Sequence, residues 1–452
     1  MSSATPAMAQ DKPMAPKISV LLSSYNHEAF VQEAIDSVLQ QSFGDFELII
    51  LDDASSDRSW EVISRNDDPR IRAYRNASRI GAVNSANWAI EELVRGEFVA
   101  IHHSDDAWTP TKLERQLAAF EADPALGAVF TWVQVIDECG TQLENDWFNR
   151  PSAKRWTLLA ELFQEENHLA HPSALIRREC YASSGLYNPL LVQTPDADMW
   201  CRLLLAWPIE IIPEKLTHHR LLSNRSNTSS TARADVRVRT ANEWNHLRRH
   251  FLQITEAQDF FCIFPALEQK LALSAPCPMK FLLAMACLHV SDTRNAWQLG
   301  IQCLQEAMSD ETERKAIERA CGFSIADLSK ITGSRDPYGV LDKEAFAKEF
   351  AALEKTAIEA HQDATRSWQE LERERARGAA LALEHEQLTQ RHGALELEHG
   401  KLSHEHDDLK VTAAAVEQGL EQELERMRAH PVWKMYTCIR NVLKKLHLIK
   451  ND

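Results

Sequence analysis

The 452-residue chain lacks both glycine-rich loops that most often cradle phosphate. It has no G-x-x-x-x-G-K-[ST] string and no G-x-G-x-x-G following a strand. Any phosphate it binds must be held another way, which points to a divalent cation. Paired cysteines are missing too: nine are scattered without a C-x-x-C, which excludes a zinc knuckle or disulfide framework and fits a reducing cytoplasm. An excess of positive charge is absent, and a net charge of −16 argues against nucleic acid as a partner. No apolar run is long enough to cross a bilayer, Phe281–Val290 being the longest. The opening 1–16 segment has no basic start and apolar core of a signal peptide, and is expected to be a disordered tail.

From Lys17 onward, strands and helices alternate. Apolar runs at Ile18–Leu22, Phe46–Leu51, Ile71–Tyr74 and Glu97–Ile101 predict strands, and helical spacing predicts helices over Phe30–Gln41 and Val83–Val94. This order predicts a mostly parallel sheet with helices on both faces, with ligands bound outside the carboxyl ends of its strands. Polar clusters follow the strands where that rule puts a site: Ser23–Asn26, Asp52–Asp53 and Ser104–Asp106. A further acidic pair, Asp196 and Asp198, precedes an apolar helical run. Adjacent carboxylates repel unless a cation or hydrogen-bond donors compensate, and oxygen ligands on a short loop suit Mg²⁺ or Mn²⁺. Each pair alone also fits an ordinary helix cap or solvated turn.

Four stretches in order resemble the family-2 glycosyltransferases, which have the GT-A fold. They are ISVLLSSYNHEAFVQEAIDSVLQQSFGDFELIILDDASSD, GAVNSANWAIEELVRGEFVAIHHSDDAWTPTKLERQ, TPDADMWCRLL and LTHHRLLSNRS, spanning about residues 17–230. The resemblance implies an inverting transfer of sugar from a nucleotide-diphosphate donor, UDP-linked, to a hydroxyl of a glycan or lipid-linked acceptor in surface-polysaccharide or glycoconjugate assembly. It implies donor contacts from Ser23, Tyr25, Asp53, Arg79, Asn87 and Asp105. Asp106 and Asp105 would hold Mn²⁺ or Mg²⁺, and Asp196 would be the general base, with Asp198 as second choice. His219 and Arg220 would meet phosphate or acceptor. One departure stands out: His103 occupies a position that is acidic in many relatives, which bears on metal preference. Trp147, Trp156 and Trp200 read as sugar platforms or core, and His171–Ser173 as cleft lining or a turn.

The expected domains are 17–235 for the GT-A unit, 236–345 for a helical module, 351–430 for a coiled coil and 431–452 for a basic amphipathic helix. Leu381, Leu388, Leu395, Leu402, Leu409 and Val416 recur every seven residues, and no proline interrupts the segment. His385, His392, His399 and His406 then fall at the facing positions of the seam. This pattern predicts a homo-oligomer. The terminal helix predicts peripheral contact with the inner face of the plasma membrane. The competing functional class is a catalytically silent transferase-like scaffold organised by its coiled coil.

Overall fold

The computed structural model describes residues 15–150, 154–222, 233–391 and 396–429. The expected terminal helix at 431–452 lies outside them, as does most of the 1–16 tail. The described residues form two compact units, one reaching to Leu341 and one beginning at Asp342.

The first unit is built on a single eight-stranded sheet. Its strands are β1 (Ile18–Ser24), β2 (Phe46–Asp52), β3 (Ile71–Arg75), β4 (Phe98–His103), β5 (Ala107–Trp108), β6 (Ala128–Ile136), β7 (Leu175–Arg177) and β8 (Ile209–Arg220). They lie in the order β3-β2-β1-β4-β7-β6-β8-β5. The first four are mutually parallel, while β7 runs antiparallel to both β4 and β6. β2 (FELIILD) is buried along its whole length, as a central strand covered on both faces must be. Each of its leucines and isoleucines contributes about 1.5–3 kcal/mol through removal from water.

Helices α1 (Val31–Leu39), α2 (Ser59–Ser64), α3 (Ala82–Glu92) and α4 (Lys112–Ala122) lie along the parallel half. α1 buries Val31, Ala34, Ile35 and Val38, the one-face spacing of an amphipathic helix. α5 (Arg155–Phe163), α6 (Glu179–Ser184) and α7 (Pro195–Ala206) follow. Proline at its first position starts α7, where a missing N–H costs nothing.

Beyond the sheet come α8 (Ala234–Arg248), α9 (Ala257–Ile263), α10 (Pro265–Leu271), α11 (Met279–His289), α12 (Arg294–Ser309), α13 (Glu311–Cys321) and α14 (Ile325–Ser334). The sequence separates this stretch as a module of its own, yet it shares one apolar core with the sheet. The reason is in α11, which is buried from Phe281 to Leu288 and needs cover on all sides. Phe163 of α5 packs against Phe251 and Phe264, with ring centroids 5.2 and 4.8 Å apart. Buried Arg248 ties the two parts further, donating from Nε to the Phe163 carbonyl and from Nη2 to Glu165.

The second unit consists of α15 (Val340–Arg391) and α16 (Glu396–Ala429). Asp336 caps the start of α15 by accepting the N–H groups of Val340 and Leu341. The heptad pattern predicts a coiled coil over 351–430; within the described residues Arg375 of α15 pairs with Glu417 of α16 at 3.2 Å. A single continuous helix would hold those residues about 60 Å apart, so the chain reverses between them. Of the seam positions with described side chains, Leu381, Leu409 and Val416 are exposed, as is His406. Side chains of the remaining heptad leucines and histidines lie outside the described residues.

Candidate active site

The carboxyl ends of the parallel strands gather the polar clusters. β4 ends at His103, and Ser104–Asp106 turns the chain into β5, which pairs antiparallel with β8 in the register Ala107 to His218. That register sets His219 beside Asp106. Asp106 is fully buried; its Oδ1 accepts the backbone N–H of Arg220 at 2.9 Å and meets His219 Nδ1 at 3.0 Å. Its Oδ2 has no hydrogen-bond partner, with His103 Nδ1 3.4 Å away. Leaving a buried carboxylate oxygen unpaired costs about 1–3 kcal/mol or more.

Charge in this turn is tightly balanced. Burial alone would raise the Asp106 carboxyl, but His219 and His103 hold it far below the usual range. Asp105 is pushed up by burial and by its neighbour's charge. Burial lowers both His103 and His219, yet the bonds and charge of Asp106 outweigh it and raise both above 6.5. Both rings therefore favour their protonated form more than a free imidazole does while no cation is bound.

Ligand atoms of His103, Asp105 and Asp106 lie within 4.8 Å of one another. The donor set fits a divalent cation, because the orphaned Asp106 Oδ2 would gain a partner. An imidazole in the set suits Mn²⁺ better than Mg²⁺.

His103 reaches further. Its Nε2 lies 3.0 Å from Nδ1 of His171, whose Nε2 lies 3.0 Å from the Tyr187 hydroxyl. Burial keeps His171 neutral, its pKa well below the usual value. Protons assign consistently along this chain: His103 donates from Nε2 to His171 Nδ1, and His171 donates from Nε2 to the Tyr187 hydroxyl. The HPS stretch is therefore both a short 3₁₀ turn and a lining of the site.

Asp196 stands in the first turn of α7, and Oδ2 accepts from Asn167 Nδ2 at 2.9 Å. Burial raises its pKa, more than the α7 N–H groups and Asn167 lower it. A carboxyl shifted toward the working range suits general-base duty. Asp198 is different: Arg202 and His250 occupy both of its oxygens, and it is fully buried against α8. The second choice for a base thus has both oxygens engaged by neighbouring side chains.

At the far side of the edge, Asp53 accepts from Asn76 Nδ2, Ile80 N and Gly81 N at 2.9, 2.8 and 2.9 Å. Gly81 has φ of +91°, a conformation that suits glycine and aims its N–H at the carboxylate. The exposed Arg79 guanidinium lies over the half-buried Tyr25 ring, 4.1 Å from its centroid. Ser23 is half-buried at the end of β1, and its carbonyl accepts the Ser104 N–H.

Two expected contacts are corrected. Asn87 spends both amide atoms on the backbone of Tyr187, at 2.7 and 3.0 Å, and so clamps α3 to that loop. Arg220 is buried with its guanidinium on the Asp105 carbonyl, the Asp137 carbonyl and Glu33. It builds the acidic turn from beneath; the charge that the sequence offers to phosphate is already engaged. Asn167 and Asn76, which orient Asp196 and Asp53, escape sequence reasoning because a lone asparagine in a loop carries no periodic signal. Of the three tryptophans, Trp200 is core against Phe130, Trp156 is stacked by Arg155, and Trp147 is exposed.

A parallel half-sheet ending in buried acidic turns, closed by an antiparallel strand pair, defines a transferase domain of the GT-A type. Residues 19–184 match the family described as Glycosyl transferase family 2. An uncharacterised glycosyltransferase of Methanocaldococcus jannaschii is 30% identical over 222 residues, covering 48% of this chain and 73% of that protein. One from Nostoc sp. is 36% identical over 228 residues, covering 48% and 68%. The Escherichia coli UDP-Glc:alpha-D-GlcNAc-diphosphoundecaprenol beta-1,3-glucosyltransferase WfaP is 31% identical over 106 residues, covering 24% and 42%. The chain belongs to the family-2 glycosyltransferases.

Proposed function

We propose that the protein transfers a sugar from a UDP-linked donor to a hydroxyl acceptor with inversion, using a divalent cation at Asp105–Asp106. The observation that carries this reading is the buried, unpartnered Oδ2 of Asp106 at the end of β4. Mn²⁺ held there by Asp106, Asp105 and His103 would neutralise charge on a departing diphosphate. The chain's own groups do the rest. Tyr25 and Arg79 offer a stacking face for a base, and Asp53 keeps an acceptor lone pair on Oδ2 for its N–H. Asp196, raised by burial and oriented by Asn167, takes the proton of the attacking hydroxyl. Attack opposite the leaving group inverts the anomeric centre. The name of the WfaP relative supports UDP as the donor's nucleotide and a lipid-diphosphate glycan as the acceptor class.

Among the described residues no helix is long and apolar enough to cross a membrane. The basic amphipathic pattern of residues 431–452 would supply peripheral contact with such an acceptor's membrane. The exposed Leu381, Leu409 and Val416 of the second unit would support self-association. A panel of nucleotide sugars with Mn²⁺ tests the proposal: slow hydrolysis of a UDP-sugar that Asp106→Ala abolishes is expected. No hydrolysis of any donor, with no nucleotide-induced thermal shift, would favour a silent scaffold.

A further inference from the structure

A second group of metal-type ligands lies apart from the strand-end turn, at the joint between α7 and α8. His246 near the end of α8 and His250 in the following 3₁₀ turn are four residues apart and face Asp198 of α7. His250 Nε2 is 2.6 Å and His246 Nε2 is 4.0 Å from Asp198 Oδ1, and all three ligand atoms lie within 4.8 Å of one another. In tetrahedral zinc sites neighbouring ligand atoms sit about 3.3 Å apart, given metal–ligand bonds of about 2.0–2.1 Å. One separation here is shorter and one longer than that, so small side-chain rotations would bring the set onto a cation.

The surroundings are arranged as a metal's outer shell usually is. Arg202 donates from Nε and Nη2 to Asp198 Oδ2 at 3.0 and 2.8 Å, which fixes the carboxylate and leaves Oδ1 turned to the histidines. Gln253 Nε2 is 3.3 Å from His250 Nδ1 and orients that ring. The Asn188 amide is 2.9 Å from His246 Nε2, and as donor it marks an unprotonated nitrogen there. His246 is the accessible member, its side chain 46% exposed, so an ion has a route in.

We propose that Asp198, His246 and His250 form a zinc-type site that staples α7 to α8, distinct from the strand-end centre. Two imidazoles and one carboxylate suit Zn²⁺ and exclude Mg²⁺. On binding, Zn²⁺ displaces the Nε2 proton of His250 to solvent and the Asn188 contact of His246; Asp198 enters already ionised. Water completes the coordination. Because α7 also carries Asp196 two residues upstream, the staple holds the helix that presents the proposed base. The inference does not depend on the proposed transfer reaction.

The probe is Zn²⁺ alone, added to full-length, chelator-stripped protein carrying Asp106→Asn to silence the strand-end centre. One Zn²⁺ per chain and a raised Tm are expected, both lost on adding His246→Ala. His250→Gln retains a donor for Asp198 and is expected to keep the metal-free Tm while losing the ion. Should Asp106→Asn fold poorly, wild type against His246→Ala gives the same readout, with stoichiometry falling by one. Co²⁺ should give visible bands of four-coordinate nitrogen–oxygen ligation that vanish in His246→Ala. No zinc bound in the Asp106→Asn protein, or zinc and the Tm rise surviving His246→Ala, would overturn the proposal.

Discussion

Asp196 and Asp198 share the first turn of one helix, yet their environments pull them apart. Asp196 takes an amide bond from Asn167 and interacts with the first N–H groups of α7, and burial raises its pKa. Asp198 is wedged against α8, where His250 and Arg202 more than offset burial and lower its pKa. The same contrast separates their regions. The strand-end edge leaves a buried oxygen of Asp106 unpartnered, while the α7–α8 joint leaves none on Asp198. The proposed site leaves a charge unmet, while the joint that holds two helices together meets its own.

That contrast can be broken by substitution. Asp106→Asn is expected to cut turnover by on the order of 10³–10⁴-fold, since several kcal/mol of charge stabilisation go with the cation, and initial rates with a UDP-sugar measure it. Asp196→Asn should lower transfer kcat by roughly 10²–10³-fold while leaving nucleotide affinity intact. Asp198→Asn should do the reverse. It breaks a buried ion pair and so should remove about 3–5 kcal/mol of stability, read as a fall in Tm, with a smaller loss of rate. Equal rate losses in the Asp196 and Asp198 variants would erase the distinction.

pH sharpens it further. His103 and His219 are raised above 6.5 by Asp106, so in the metal-free chain their stabilisation is fully present below pH 6.5 and is lost as pH rises through their raised values. Asp198 is lowered from 3.8, so the joint's contribution holds above that value and is lost as pH falls below it. Tm should therefore drift down on the alkaline side, with His219→Gln flattening that limb, and saturating Mn²⁺ should oppose the drift. The smallest effect expected is at the edge's rim. Arg79→Ala removes an exposed stack on Tyr25 and should weaken UDP binding a few-fold, about 0.5–1 kcal/mol, by calorimetry.

The parallel half of the sheet was legible because its strands are unbroken apolar runs and its helices keep one-face spacing. Asp53, Asp106 and Asp196 stood out as candidates because they follow those elements in a familiar order. What was not legible depends on contacts between distant segments. Arg220 reads as a free cation until β8 pairs with β5 and buries it under Asp105. Asn87 reads as a donor contact until Tyr187 takes both of its amide atoms. The helices after β8 read as a separate module because nothing local shows that Phe251 and Phe264 pack on Phe163. In the second unit, seven-residue periodicity says which residues share a face but not where the chain reverses.

In the proposed function the Asp105–Asp106 turn takes a divalent cation together with a diphosphate. Calorimetric titration of UDP with and without Mn²⁺ tests this most directly. Binding at least about tenfold tighter with Mn²⁺ in the wild type, and no such gain in Asp106→Asn, is the expected result. Equal UDP affinity with and without the metal in the wild type would contradict it.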